Sequence, residues 1–153
     1  KFERPSARAI IIKGGKLAMI HSLKYDYYKF PGGGIKNGEA KEAALAREVL
    51  EEAGLCVIKD SIKEFGMVHR IQKGEVEDVF IQDNFYYFCD VADEIQKQNL
   101  DGYEADEKFT LEFADAKKII ETNAACANPK VDKIILQRES RVTEILIKEG
   151  FLK

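Results

Sequence analysis

The run Pro31-Gly32-Gly33-Gly34 constrains this chain more than any other stretch. Three successive glycines lose the most backbone entropy on ordering, so the segment predicts a loop rather than a regular element. Directly after it the sequence changes character. Residues 39–53 are almost free of helix breakers and rich in Ala, Glu and Leu. Asn37-Gly38 offers an N-cap before them, and Gly54 stands where a left-handed C-terminal cap is expected.

The flanking segments read as sheet. Residues 7–13 and 16–21 are rich in Ile and enclose Gly14-Gly15, a dipeptide suited to a two-residue hairpin turn, so they predict paired strands. Residues 55–58, 61–70 and 82–91 carry β-branched and aromatic side chains at strand lengths, separated by polar turns such as Lys73-Gly74-Glu75. Residues 93–108 are polar and predict a long loop, 109–113 a short strand and 114–122 a short helix. Val131, Ile134, Ile135, Arg138, Val142, Ile145 and Leu146 recur at three and four residues and predict one closing amphipathic helix. The outline is mixed α/β, and 153 residues suit one domain with one core.

Charge and composition exclude several functions. With 24 basic and 27 acidic residues the net charge is −3, which argues against broad capture of nucleic acid or an anionic membrane. Apolar stretches such as residues 85–89 fall far short of the about 20 residues of a bilayer span, and Lys1-Phe2-Glu3-Arg4 has no signal-peptide core. Cys56, Cys89 and Cys126 lie far apart without a C-x-x-C pair, so reduced, mostly buried thiols are expected. These features predict a cytoplasmic protein.

Chemistry concentrates on the central helix. Glu48, Glu51 and Glu52 are spaced i, i+3, i+4 and share a face, while Ala43, Ala46, Val49, Leu50 and Ala53 predict a core-facing stripe on the other side. The pairs 48/51 and 48/52 repel, and all three acids lie towards the helix C-terminus, where the macrodipole disfavours anions. Together this opposes the placement by roughly 1–4 kcal/mol. A solvated acidic face with an Arg47–Glu51 ion pair is one reading, but that pair answers for one acid only. A hard divalent cation such as Mg²⁺ or Mn²⁺, bound through carboxylate oxygens, is the other.

Residues 33–55 read GGIKNGEAKEAALAREVLEEAGL, which matches G-x5-E-x7-R-E-U-x-E-E-x-G-U without a gap at Gly33, Glu39, Arg47, Glu48, Val49, Glu51, Glu52, Gly54 and Leu55. A chance match falls below about 10⁻⁶ at average residue usage. The chain resembles a Nudix hydrolase of the MutT-like kind. The resemblance implies the Nudix αβα sandwich, a mixed sheet between helices, as a single domain over residues 1–153. It also implies Mg²⁺- or Mn²⁺-dependent hydrolysis of a nucleoside diphosphate linked to another moiety, a small-molecule nucleotide substrate.

By carry-over the catalytic set is Arg47, Glu48, Glu51 and Glu52, and the metal set is Gly33 through its carbonyl, Glu48, Glu51, Glu52 and, from a distant loop, Glu104. Asp106 and Glu107 compete for that last place. Glu48 is either a ligand or the base for the attacking water, and Arg47 with Glu39 holds loop and helix in register. Members of the family often dimerise, and no exposed patch in the sequence decides this.

Substrate identity is less legible. Tyr25, Tyr27 and Tyr28 read as packing more readily than as a base-stacking surface, His21 and His69 as structural, and Arg4, Arg8 and Arg70 as solvated more readily than as phosphate contacts. The absence of Trp excludes the S-Q-P-W-P-F-P run of NADH pyrophosphatases, and neither the Pro typical of ADP-ribose hydrolases nor the Tyr typical of dinucleoside polyphosphate hydrolases stands at the customary distance of about 16 residues after Leu55. Nucleoside triphosphates, oxidised ones included, nucleotide sugars and substrates of the ADP-ribose type stay open. The alternative is a catalytically silent nucleotide-binding module of the same fold, against which the complete acid set argues.

Overall fold

The structure, a computed structural model, describes residues 2–72 and 80–153. In chain order the elements are β1 (Phe2–Glu3), β2 (Ser6–Ile10), β3 (Ile12–Lys13), β4 (Lys16–Ser22), β5 (Tyr27–Lys29), β6 (Gly32–Gly34), α1 (Lys41–Ala53), β7 (Leu55–Val57), β8 (Lys63–Gln72), β9 (Phe80–Phe88) and β10 (Val91–Ile95). There follow α2 (Gly102–Asp106), β11 (Phe109–Ala114), α3 (Ala116–Ala125) and α4 (Lys133–Lys148). Mixed sheet with helices bears out the α/β class. The turn expected at Lys73-Gly74-Glu75 lies outside the described residues.

The chain divides into two compact units, and the described residues of the first fall within Lys1–Ile10 and Pro31–Gln98. Its main sheet is built around β9, which pairs parallel with β1 and β2 and antiparallel with β8, while β2 pairs antiparallel with β6. Ala7 and Ala9 are fully buried, and α1 packs against β2, β6 and β7. Small side chains on β2 let a helix approach the strand closely. β10 pairs with β7 in a separate two-stranded sheet.

The second unit comprises Ile11–Phe30 and Asn99–Lys153. Here β4 is the central strand, paired antiparallel with β11, β3 and β5. Gly14 and Gly15, with φ of 58° and 77°, form the expected hairpin between β3 and β4. Residues 7–13 are nevertheless two strands. Residues 6–10 pair with β9 and β6, whereas 12–13 pair with β4, and an unbroken apolar run carries no mark of that change of partner.

Among the described residues the outer edge of β5 is satisfied by side chains rather than by another strand. Tyr28 N–H donates to Asn123 Oδ1 at 2.7 Å, Asn123 Nδ2 donates back to Tyr28 O at 2.9 Å, and Phe30 N–H donates to Glu139 Oε2 at 2.6 Å. Asn123 on α3 thus offers the donor and acceptor of a missing peptide group. Tyr27 packs with Val131 and Leu136, and the His21 ring stacks on Tyr28 at 4.3 Å, so the tyrosines serve packing as expected.

The polar segment 93–108 is not one long loop. β10 extends to Ile95, and α2 starts at a capping box in which Asp101 Oδ1 accepts from Glu104 N–H at 3.2 Å and Glu104 Oε1 from Asp101 N–H at 3.0 Å. The D-x-x-E spacing was the signal; a short polar helix follows cap chemistry rather than apolar periodicity. The closing helix is present as α4, and the helix expected at 114–122 as α3. All three cysteines are free, but only Cys89 is buried, its thiol pushed up to about 12 by that burial. No helix among the described residues is long and apolar enough to cross a membrane.

Asn123→Ala should strand two buried backbone groups of β5 and lower stability by about 2–4 kcal/mol in chemical denaturation, since each such group costs about 1–3 kcal/mol.

Candidate active site

Gly32–Gly34 forms strand β6 rather than a loop, in register Arg8↔Gly32, Ala7↔Gly33 and Ser6↔Gly34 with β2. The absence of side chains is what permits the strand. Gly32 has φ of 146°, and a Cβ there would stand 2.0 Å from Ala7 O. A Cβ on Gly33 would stand 2.4 Å from Glu48 Oε2. The first glycine admits the neighbouring backbone, and the second admits a carboxylate from α1.

Helix α1 begins at Lys41, not at residue 39; Ala40 is its N-cap and makes no side-chain cap bond, so Asn37 does not serve. Glu39 is instead held in the preceding turn, accepting Lys36 N–H at 3.0 Å. The far end is as expected: Gly54, at φ 72°, donates its N–H to Leu50 O at 2.9 Å.

The buried face of α1 is Ala44, Leu45, Val49, Glu52 and Ala53, whereas Leu50 is 40% exposed and Ala43 is exposed. The apolar stripe of 43, 46, 49, 50 and 53 is therefore rotated. Alanines contribute little to an apolar period, and the helix turns towards the small residues of β2 and the glycines of β6. Glu52 consequently does not point away from the core. It is 1% exposed, and its Oε1 accepts Gly32 N–H at 3.1 Å. Gln98, which had no sequence signal, donates Nε2 to Glu52 O at 2.6 Å.

Arg47 ties the region together. Its Nε and Nη2 donate to the two oxygens of Glu39 at 2.9 and 2.8 Å, and Nη2 donates to Gly34 O at 3.1 Å. Its Nη1 lies 2.7 Å from Glu48 Oε1 and 3.5 Å from Glu51 Oε2. The guanidinium thus answers for two of the three acids, not one as the spacing suggested, and the rotamer that does so is not readable from i, i+4 geometry.

Charge follows these contacts. The Arg47 hydrogen bonds, aided by Lys36 N–H, hold the Glu39 carboxyl down to about 2, and Glu39 in turn pushes Arg47 further up. Glu48 behaves oppositely. Burial raises its carboxyl above the ordinary value despite Arg47, and the charges of Glu51 and Glu52 add to the rise. The three acids therefore feel one another.

Whether these residues suit a divalent cation can be tested on the donor set. Among the described residues no group of three or more His, Cys, Asp or Glu side chains is gathered around a metal position. Glu48 and Glu51 are turned onto Arg47, and Glu52 onto Gly32. The donors are nevertheless all hard oxygens, three carboxylates on one helix, beside the bare backbone of Gly32 and Gly33. That chemistry fits Mg²⁺ or Mn²⁺.

The other candidates have partners of their own. Glu104 is buried in its capping box, Asp106 pairs with Lys24 Nζ at 2.7 Å, and Glu107 accepts from Ser22 Oγ and Tyr27 O–H at 2.9 Å each. All three belong to the second unit, whereas β6 and α1 belong to the first. His21 Nε2 lies 2.7 Å from Asp26 Oδ1, and His69 hydrogen-bonds Asp83, so both histidines are tied as expected. Arg8 departs from expectation: it is 8% exposed, and its Nε donates to buried Asn84 Oδ1 at 3.3 Å. The side chain of Arg70 lies outside what is described.

A family model described as NUDIX domain matches residues 3–137. No curated protein sequence matches the chain significantly. Among solved structures the chain is similar to a NUDIX hydrolase from Nitrosomonas europaea, at 18% identity over 95% of this chain and 90% of that one, with TM-score 0.65. It is also similar to the ORF135 protein of E. coli, at 17% identity over 97% and 94%, TM-score 0.63, and to a mutator MutT protein from Bacillus halodurans, at 19% identity over 88% and 80%, TM-score 0.61. At these identities the likeness is one of fold.

The two glycines separate in their consequences. Gly32→Ala meets backbone at positive φ and should cost about 2–4 kcal/mol in thermal or chemical unfolding. Gly33→Ala meets only a side chain, so it should cost about 1 kcal/mol or less while displacing Glu48.

A metal-free carboxyl NMR titration should find Glu39 near 2 and Glu48 above 4.5. The stability from Glu39 is present above its ordinary value of 4.5 and is lost as pH falls through about 2. Glu48 works the other way, because its ionisation opposes folding and protonation relieves that cost.

Proposed function

This chain belongs to the NUDIX family of hydrolases, and from that premise we propose that it cleaves the pyrophosphate of a nucleoside diphosphate linked to another moiety, by water attack, with Mg²⁺ or Mn²⁺. The observation that carries the reading is the set Glu48, Glu51 and Glu52 on one helix beside the bare backbone of Gly32 and Gly33. As one domain over residues 1–153 it would work as a small-molecule enzyme. The interleaving of its two units along the chain supports that, since neither is one continuous segment.

Glu48, Glu51 and Glu52, with the Gly33 carbonyl, are the groups that would hold the ion. When bound, it would supply positive charge against the pyrophosphate oxygens as the P–O bond breaks. The protein's own part is orientation. Arg47 secures, through Glu39 and Gly34 O, the end of β6, and before an ion arrives it also holds Glu48 Oε1. Glu48 Oε2 lies over Gly33, and in this reading Glu48 would serve either as a further ligand or as the base that accepts a proton from the attacking water. A cytoplasmic setting accompanies this reading, supported by three free cysteines.

The test is turnover of a panel of nucleoside triphosphates, nucleotide sugars, ADP-ribose and dinucleoside polyphosphates in Mg²⁺, with products identified and oxygen from H₂¹⁸O traced into a phosphoryl product. Binding without turnover would favour the silent module instead.

Glu52 is buried, so it is a poor probe of chemistry alone. Glu51, whose side chain is 39% exposed, is cleaner. Glu51→Gln should lower kcat about a hundredfold or more and change unfolding free energy by less than about 0.5 kcal/mol. Unchanged kcat would remove Glu51 from the site.

A further inference from the structure

Arg47 presents two separate edges. Nε and Nη2 form a closed set with both oxygens of Glu39 and with Gly34 O, at 2.8 to 3.1 Å. Nη1 has no part in that set and faces Glu48 Oε1 at 2.7 Å and Glu51 Oε2 at 3.5 Å. Glu48 and Glu51 are two of the three acids that would hold a divalent ion. We infer that Arg47 Nη1 is a built-in counter-ion of the metal site, pinning Glu48 and Glu51 in the metal-free protein, and that a divalent ion competes with it for those two carboxylates.

The inference rests on the metal reading above and adds a tuning element to it. Three carboxylates on one helix face repel when no cation is present, and burial of Glu48 sharpens that repulsion. A guanidinium held from behind by Glu39 supplies positive charge without leaving its place. Glu39 therefore has a second role: its own negative charge draws Arg47 away from the acids, so it governs how strongly Nη1 opposes the ion. The Nε and Nη2 contacts need not change when an ion arrives, so β6 stays tied to α1 with or without it.

A purely structural clip and a counter-ion make opposite demands on two variants. Mn²⁺ affinity, read by electron paramagnetic resonance without substrate, should rise about threefold to tenfold in Arg47→Gln, where the competitor is gone. It should fall about threefold in Glu39→Gln, where the guanidinium is released towards Glu48 and Glu51. If Arg47 only holds the loop, both variants weaken Mn²⁺ binding, and that result would overturn the inference. Should Arg47→Gln not fold, the wild-type protein decides. Side-chain ¹⁵N spectra should show the Arg47 Nη1 signal shifting and gaining rotational freedom as Mg²⁺ is added, while Nε and Nη2 stay in place. Mg²⁺ uptake with an unmoved Nη1 signal defeats the counter-ion role alone. No Mg²⁺ or Mn²⁺ uptake by the wild type defeats the metal reading as well.

Discussion

A guanidinium can satisfy a carboxylate and a carbonyl in one plane while keeping a further nitrogen for another partner, and Arg47 uses that geometry to join three pieces of chain. Glu39 in the turn before α1, Gly34 at the end of β6 and Glu48 one residue further along the helix all meet it. Lysine, a point charge without the fork, could not make these contacts together. The link ties a three-residue strand of glycines, intrinsically the least ordered stretch of the chain, to its most regular helix. The link holds Glu48 and Glu51 beside β6, while Glu52 is held there by Gly32 N–H.

The glycines and the helix are complementary for a steric reason. β6 lies so close to β2 that a side chain at Gly32 would overlap Ala7 O, and α1 lies so close to β6 that one at Gly33 would overlap the Glu48 carboxylate. Small residues on both strands draw the helix down until Glu52 is buried and accepts the Gly32 N–H. A carboxylate in that position is costly unless hydrogen-bonded. The site therefore combines tight packing with an excess of like charge, the combination that hard-cation binding by oxygen donors relieves.

The second unit solves a different problem by similar means. Among the described residues β5 has a strand partner on one side only, and its other edge is closed by Asn123 from α3 and Glu139 from α4. Buried side chains there take the place of a strand. This accounts for an asparagine 3% exposed and a glutamate fully buried on helices whose remaining inward positions are largely apolar.

Several features were legible from the residues alone because their causes are local. Gly14-Gly15 specifies a hairpin, Gly54 ends a helix, α4 announces itself by periodicity, and the spacing of Gly33, Glu39, Arg47, Glu48, Glu51 and Glu52 carries the family. Other features had no local cause. That three glycines would pair as a strand depended on β2 lying beside them, and that residues 6–10 and 12–13 would part company depended on which strands were available. Which face of α1 turned inward followed from the glycines beneath it rather than from its own weak apolar stripe. Sequence thus determined the family and the acids and glycines that stand as candidates for its site. Tertiary structure decided which of them are buried, which share one guanidinium and which are committed elsewhere, because those outcomes depend on close approach between segments distant in the chain.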